Sequence, residues 1–242
     1  MSNYTEIIKK FTNTDYENKL VNLHIHTTYS DGLGEFKQIA QQAIESGYKY
    51  ISITDHNTIQ GHIDNESLNG FVIPGVEFDV WYKYIFLHLL AYGIDIHSEY
   101  MQKFYSKTKK GTEKDIIRFF SKRNIKELID SIHKAGGIAV LAHPACCWAL
   151  NMDKFVSDLK ELGLDGIEIY YPYISQTARC RTATGRIAKL KGASARESIS
   201  PTAHSSSQHS RITHLSTDSF PNLHLRAAYF QAVTSLTRCF RR

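Results

Sequence analysis

Residues 21–32 read VNLHIHTTYSDG, an apolar run that ends in two histidines and then turns at an Asp-Gly pair. The run predicts a short buried strand at residues 21–26, followed by a turn at Asp31. His24 and His26 are two residues apart, so both imidazoles should project from the same face of this strand. A His-x-His pair alone is weak evidence for a metal site, and its meaning depends on what the other strands present.

Strand-like and helix-like segments alternate along the rest of the first 170 residues. We predict further strands at residues 50–54, 71–78, 84–92, 138–142 and 166–170, and helices at residues 35–46, 99–120, 125–134 and 154–162. This order, with β-branched strands, predicts an α/β fold with a mostly parallel sheet and helices outside, either a barrel or a doubly wound sheet. No glycine-rich phosphate loop follows the first strand, which argues against Rossmann and P-loop folds.

Side chains able to bind metals stand at or near the ends of nearly all these strands: His24, His26, Asp31, Asp55, His56, Glu77, Asp79, His88 and His143. Each has an ordinary structural explanation when taken singly, such as a turn at Asp31, a helix cap at Asp55 or a core histidine at His88. Together they predict a cation site, because the strand ends of a parallel barrel share one rim. Mixed imidazole and carboxylate ligands suit zinc, manganese or iron.

Four segments resemble the motifs of the PHP (polymerase and histidinol phosphatase) family: NLHIHTTYSDG at 22–32, ITDHNT at 53–58, PGVEF at 74–78 and LAHPA at 141–145. Over residues 20–173 the resemblance implies a distorted, TIM-like (β/α)7 barrel with two or three divalent metal ions (Zn, Mn or Fe) on its C-terminal rim. Its implied ligands are His24, His26, Asp31, His56, Glu77 as the bridging carboxylate, His88 and His143.

The resemblance also implies an activity, that of a metal-dependent phosphoesterase. The chain looks most similar to small stand-alone members that act on nucleotides or short oligonucleotides, so a small phosphorylated partner is expected. A water bridging two cations would become hydroxide near neutral pH and attack phosphorus. His88 or His143 would help to protonate the leaving oxygen, although metal ligation competes with that role.

One family motif is absent from the sequence. A Gly-Ser-Asp-x-His segment should follow the strand at 166–170, and none is found. Asp218, in STDSF, is a faint echo without a preceding strand or a histidine two places on. The expectation is therefore a barrel that is incomplete at its C-terminal end and an activity impaired by the loss.

Composition changes near residue 174. Residues 1–173 hold 18 Lys and Arg against 22 Asp and Glu, a net charge of −4, whereas residues 174–242 hold 11 against 2, a net charge of +9. The second part is rich in Arg, Ser and Thr and has no sustained apolar period. We therefore divide the chain into a PHP domain, 1–173, and an atypical basic tail, 174–242. The tail is either disordered, an out-of-frame or chimeric end, or a cryptic domain.

Composition also narrows the class of protein. No apolar stretch is long enough to span a membrane, and the N-terminus lacks a signal-peptide pattern. Four cysteines without a C-x-x-C pair predict reduced thiols. A cytoplasmic protein is therefore expected. Two other functions stay open: a non-catalytic PHP-like binding or scaffolding module, and nucleic-acid binding through the basic tail. The sequence indicates no oligomeric state.

Overall fold

A computed structural model describes residues 4–170 and the backbone of residues 211–214. Its described strands form one sheet in chain order: β1 (Val21–Ile25), β2 (Tyr50–Ile53), β3 (Val72–Tyr82), β4 (Ile85–Tyr92), β5 (Ile138–Leu141), β6 (Gly166–Tyr170) and β7 (Arg211–His214). The α-helices are α1 (Tyr4–Lys9), α2 (Asn13–Glu17), α3 (Phe36–Glu45), α4 (Gln60–Asp64), α5 (Lys110–Glu113), α6 (Asp115–Phe119), α7 (Ile125–Lys134) and α8 (Met152–Glu161).

The sheet curls into a half-barrel. Side chains of strands that are not neighbours meet inside the curl: His24 of β1 lies 3.0 Å from Glu168 of β6, measured from Nδ1 to Oε1. Among the described strands, β1 pairs only with β2, so the barrel is open between its first and last strands. The predicted α/β, TIM-like barrel, incomplete at its C-terminal end, is confirmed as a fold class.

Strand direction differs from the mostly parallel sheet that we predicted. β1, β2 and β3 are parallel, and so are β5 and β6, but β4 runs antiparallel to both β3 and β5. Only Lys83 and Tyr84 connect β3 to β4, and two residues can close a hairpin but cannot make a parallel crossover. His88 therefore lies in the middle of β4 and not at the C-terminal end of a parallel strand.

Apolar side chains fill both sides of the sheet. Inside the curl, Leu23, Ile73, Leu90 and Val140 pack together, and Tyr16 of α2 is part of the same cluster. Outside, α7 and α8 cover β3, β4 and β5, while α3 covers β1 and β2 through a separate cluster. Because these apolar faces are buried, the polar side chains of the sheet gather at the other end of the half-barrel.

The long helix predicted at residues 99–120 is wrong. Within the described residues, this stretch holds a 3-10 turn at Gln102–Phe104 and the short helices α5 and α6. Lys114 has extended backbone angles and separates the two helices, so a continuous hydrogen-bond ladder cannot form. The Lys-rich sequence has high helix propensity but lacks a periodic apolar face to bury.

Most of the predicted tail, 174–242, lies outside the described residues. Residues 211–214 are the exception, because their backbone forms β7 and pairs antiparallel with β6. The expectation that no strand precedes Asp218 is therefore wrong, and Asp218 itself lies outside the described residues. In the described part of the chain, no helix is both long enough and apolar enough to cross a bilayer.

Candidate metal centre

Glu77 lies in the middle of β3 with only 1% of its surface exposed, and its carboxylate is surrounded by imidazoles. Three ring nitrogens surround Oε2: Nε2 of His24 at 3.2 Å, of His26 at 3.0 Å and of His56 at 3.3 Å. Two more lie 3.0 Å from Oε1: Nδ1 of His88 and Nε2 of His143. One carboxylate thus joins five histidines from four separate segments of the chain.

These histidines occupy different positions relative to their strands. His24 and His26, at the end of β1, have stacked rings with centroids 5.1 Å apart, as the alternation of strand side chains predicts. His88 faces Asp79 across the β3–β4 hairpin. His143 follows β5 with a backbone φ of 24°, a region that costs energy for a residue with a side chain and is often found at functional sites.

Asp31 brings a second carboxylate to the edge of the cluster. Its Oδ1 lies 2.8 Å from His26 Nδ1, and its Oδ2 lies 3.6 Å from His56 Nε2. Arg118 of α6 is buried and donates to Asp31 Oδ2 through Nη1 at 3.0 Å. All seven residues proposed as metal ligands from the sequence therefore lie in one cluster.

Asp55 holds the loop that carries Asp31. Its carboxylate accepts three hydrogen bonds, from Thr27 N at 2.7 Å, Thr27 Oγ1 at 2.6 Å and Ser30 Oγ at 2.6 Å. Gly32 closes the same loop, because a Cβ there would lie 2.4 Å from the backbone of His26. The Asp-Gly turn seen in the sequence is thus a tight loop fixed by a buried acid.

Substitution of Asp55 by Ala should destabilise the protein and loosen the Asp31 loop. The Thr27 amide and two hydroxyls would lose their acceptor, and a buried donor left unpaired costs about 1–3 kcal/mol. Urea unfolding should show a lower midpoint than that of the wild type. The control is Asp130→Ala, at a half-exposed position on α7, which should unfold like the wild type. Equal midpoints for both variants would contradict this role of Asp55.

Asp79 supports two of the histidines from behind. Its Oδ1 lies 3.1 Å from His88 Nε2 and 3.6 Å from His56 Nδ1, on the side of each ring that faces away from Glu77. Asn57 donates to Asp79 Oδ2 and its side-chain oxygen accepts from Asp79 N at 3.1 Å. A carboxylate behind a metal-binding imidazole sets its tautomer and orientation. The sequence showed Asp79 next to the motif but did not indicate this role.

Glu168 was missed by the sequence analysis. It is 1% exposed on β6, accepts from His24 Nδ1 at 3.0 Å and accepts from the backbone N of His143 at 2.8 Å through its other oxygen. An acid inside the apolar GIEIY strand was the available signal. Arg118 was missed as well, because it comes from the segment predicted to be a long charged helix.

The carboxylates of the cluster favour the charged forms of His24 and His88, whereas burial favours the neutral form of His56. Burial alone would lower the pKa of His24, but Glu168 and Glu77 more than offset it and raise the pKa to about 10. The pKa of His88 is likewise raised to about 10 by Glu77 and Asp79, against burial. Burial lowers the pKa of His56 well below its usual value. The imidazoliums in turn hold the pKa of Glu77 well below its ordinary range despite burial.

The donor set fits divalent cations. Nε2 of His24 and Nε2 of His26 are only 3.1 Å apart, and Nδ1 of His88 and Nε2 of His143 are 3.2 Å apart. Ring nitrogens this close, all directed at one carboxylate, are typical of ligands arranged around shared ions. Three overlapping groups of ligand atoms each lie within 4.8 Å: His24–His26–Glu77, His26–Asp31–His56 and His56–Glu77–His88. Overlap through Glu77 and His26 suits more than one cation.

Metal uptake should release protons. Imidazoles bind metals only in the neutral form, so the protons held by His24 and His88 at neutral pH must leave. Because the pKa values of these residues are raised, metal affinity should increase as the pH rises from 6 to 9. Calorimetric titration of Mn²⁺ in buffers of different ionisation enthalpy measures the proton count. An apparent binding enthalpy that is the same in every buffer would contradict this.

Comparison with known proteins agrees with this geometry. The sequence model of the PHP domain matches residues 22–185. An uncharacterized protein of Methanocaldococcus jannaschii is 31% identical, over 62% of this chain and 81% of its own length. A 5'-3' exoribonuclease of Salmonella typhimurium is 32% identical, over 35% of this chain and 31% of its own length. A metal-dependent phosphoesterase structure from Bifidobacterium adolescentis superimposes with a TM-score of 0.52 at 18% identity, covering 69% of this chain and 82% of that chain.

Proposed function

Because the chain belongs to the PHP domain family, we propose that it is a metal-dependent phosphoesterase that hydrolyses nucleotides or short oligonucleotides. The observation that supports this most is the convergence of five imidazoles on the two oxygens of Glu77. A structural role does not account for so many buried titratable groups at one point, since each costs desolvation energy. Perturbed titratable groups gathered in this way are typical of functional sites.

Two or three divalent ions, zinc, manganese or iron, would be held by His24, His26, Asp31, His56, Glu77, His88 and His143. When bound, they would supply Lewis-acid stabilisation of the phosphoryl group and an activated water. Glu77 would bridge two of the ions, since its two oxygens face different sets of histidines. Asp79 and Glu168 would keep the imidazoles of His88 and His24 in the orientation that ligation requires.

The two histidines proposed as proton donors differ in their surroundings. Nδ1 of His88 faces Glu77 and Nε2 faces Asp79, so both of its ring nitrogens are engaged within the cluster. This favours ligation over proton transfer for His88. The backbone N of His143 donates to Glu168. Of the two histidines we assign to His143 the protonation of the leaving oxygen, a role that competes with metal ligation through the Nε2 that faces Glu77.

Nucleotide substrates are proposed from two observations. The Salmonella relative is a 5'-3' exoribonuclease, and it shares with this chain a segment of 91 residues. Arg118 adds a buried positive charge beside Asp31, which favours anionic groups at the same edge of the cluster. A small phosphate ester whose alcohol part is a nucleoside is consistent with both observations.

The missing last motif bears on the rate. We propose that the PHP domain is residues 1–173, that 174–242 is an atypical basic tail, and that the absent Asp and His lower activity by leaving one cation with fewer ligands. The family match extends past the proposed boundary, to residue 185. DNA sequencing across codons 170–180 tests the division: an unbroken reading frame in genomic DNA would contradict a chimeric end.

Hydrolysis assays test the function directly. The full chain, reconstituted with Mn²⁺, Zn²⁺ or Fe²⁺, should release phosphate from AMP and p-nitrophenol from p-nitrophenyl phosphate, and EDTA should abolish both activities. Loss with EDTA and recovery with only one metal would also identify the ion. Tight metal binding without hydrolysis of any ester would contradict the proposal and favour the non-catalytic binding module.

A further inference from the structure

A cluster of aromatic side chains continues the face of the β3–β4 hairpin that holds the metal ligands. On β3, Glu77 and Asp79 lie on this face, and Trp81 is the next residue on it. On β4, Phe86 lies on the same face as His88, two residues before it, and pairs with Trp81. Two residues along a strand span about 7 Å, so this aromatic pair begins one step from the cation ligands.

Ring contacts connect this pair to the cluster and to the surface. The Phe86 ring meets His88 edge to face with centroids 5.3 Å apart, and it lies 5.2 Å from the ring of Phe119 in α6. Phe119 also meets Trp81 edge to face at 4.8 Å, and its backbone oxygen accepts from Trp81 Nε1 at 2.7 Å. We call Trp81, Phe86 and Phe119 the aromatic shelf.

The aromatic shelf is only partly covered by the protein. Phe119 is 41% exposed, and three neighbouring apolar side chains are exposed as well: Ile116 at 72%, Ile117 at 44% and Phe120 at 70%. An apolar surface concentrated in one short helix, next to a polar site, is typical of ligand binding. Arg118, between these residues, contacts Asp31 of the metal cluster, so the same helix lies against both surfaces.

We propose that the aromatic shelf binds the nucleobase of the substrate while its phosphate occupies the metal centre. This inference rests on the proposed function and specifies which part of the substrate the chain recognises. Bases stack on aromatic rings with little regard to their identity, because every base has a π face. The position of the shelf, one strand step beyond His88, matches a ring joined to the phosphate through a sugar.

Paired substrates separate recognition of the base from recognition of the phosphate. AMP and ribose 5-phosphate have the same phosphoester, but only AMP has a base. The wild type should show a KM for AMP about ten-fold lower than that for ribose 5-phosphate. Phe119→Leu, which keeps an apolar side chain but removes the ring, should remove most of this difference, so that the ratio of the two KM values falls towards one. Tyr100→Leu, which removes an exposed ring elsewhere, is the control.

Tryptophan fluorescence gives a second readout that does not need turnover. The chain has two tryptophans, so Trp148→Phe leaves Trp81 as the only emitter. In this background AMP should quench the emission of Trp81, ribose 5-phosphate should not, and Phe119→Leu should weaken the quenching. Equal quenching by both compounds, or none by either, would overturn the shelf. Failure of hydrolysis with quenching by AMP alone would overturn the proposed function and leave the shelf standing.

Discussion

Glu77→Gln should strongly reduce metal binding and hydrolysis together. The amide has no negative charge to bridge two cations, and its NH2 group would face imidazole nitrogens that now lie 3.0 Å from Oε1 and Oε2. Loss of several kcal/mol of cation stabilisation corresponds to a fall in kcat/KM of about 10³-fold. The measurements are bound metal per chain by elemental analysis and phosphate release from AMP.

The control for this substitution is Glu66→Gln. Glu66 also pairs with an imidazole, that of His97 at 2.6 Å, but both side chains are exposed. Its removal should change neither metal content nor rate, since exposed pairs contribute little. Full metal content and activity in Glu77→Gln would show that Glu77 is a structural acid and that the ions, if present, lie elsewhere.

Glu168→Gln should weaken metal binding without removing it. One amide oxygen can replace one carboxylate oxygen, but the NH2 group would face either His24 Nδ1 or the amide N of His143. Loss of an acid behind a metal-binding imidazole typically costs about 10- to 100-fold in metal affinity. The unpaired buried donor should also cost about 1–3 kcal/mol of stability. Metal titration and urea unfolding measure the two effects.

The comparison for Glu168 is Glu161→Gln, an exposed acid at the end of α8. It should match the wild type in both measurements. If Glu168→Gln bound metal as tightly as the wild type, the His24 ring would be held by its packing alone. In that case Glu168 would stabilise the fold around β6 and would have no role in the metal centre.

The sequence predicted the members of the histidine and carboxylate cluster because the information is local. A histidine or acid that follows a β-branched run can be recognised from the sequence alone. His24, His26, His56, Glu77 and His143 were all found in this way. For strand β6 and helix α7, the predicted first and last residues agree with the observed ones. Apolar periodicity and glycine caps are strong where a segment is long and buried on one face.

The features that the sequence did not predict depend on contacts between distant segments. Glu168 is important only because β6 curls back to β1, 144 residues earlier in the chain. Arg118 reaches Asp31 because α6 packs against β3, in a segment where a continuous helix was expected. The antiparallel direction of β4 could have been predicted, since two residues between strands leave no room for a crossover.

The position of the cations is the most direct test of the whole account. Crystals of the full chain grown with Mn²⁺ or Zn²⁺ should give anomalous difference peaks next to Glu77. We predict at least two peaks about 3.5–4 Å apart, each about 2.0–2.3 Å from a Glu77 oxygen or a ring nitrogen of the cluster. A fully loaded protein whose anomalous peaks lie away from Glu77, or that shows none there, would contradict the metal centre and the phosphoesterase proposed from it.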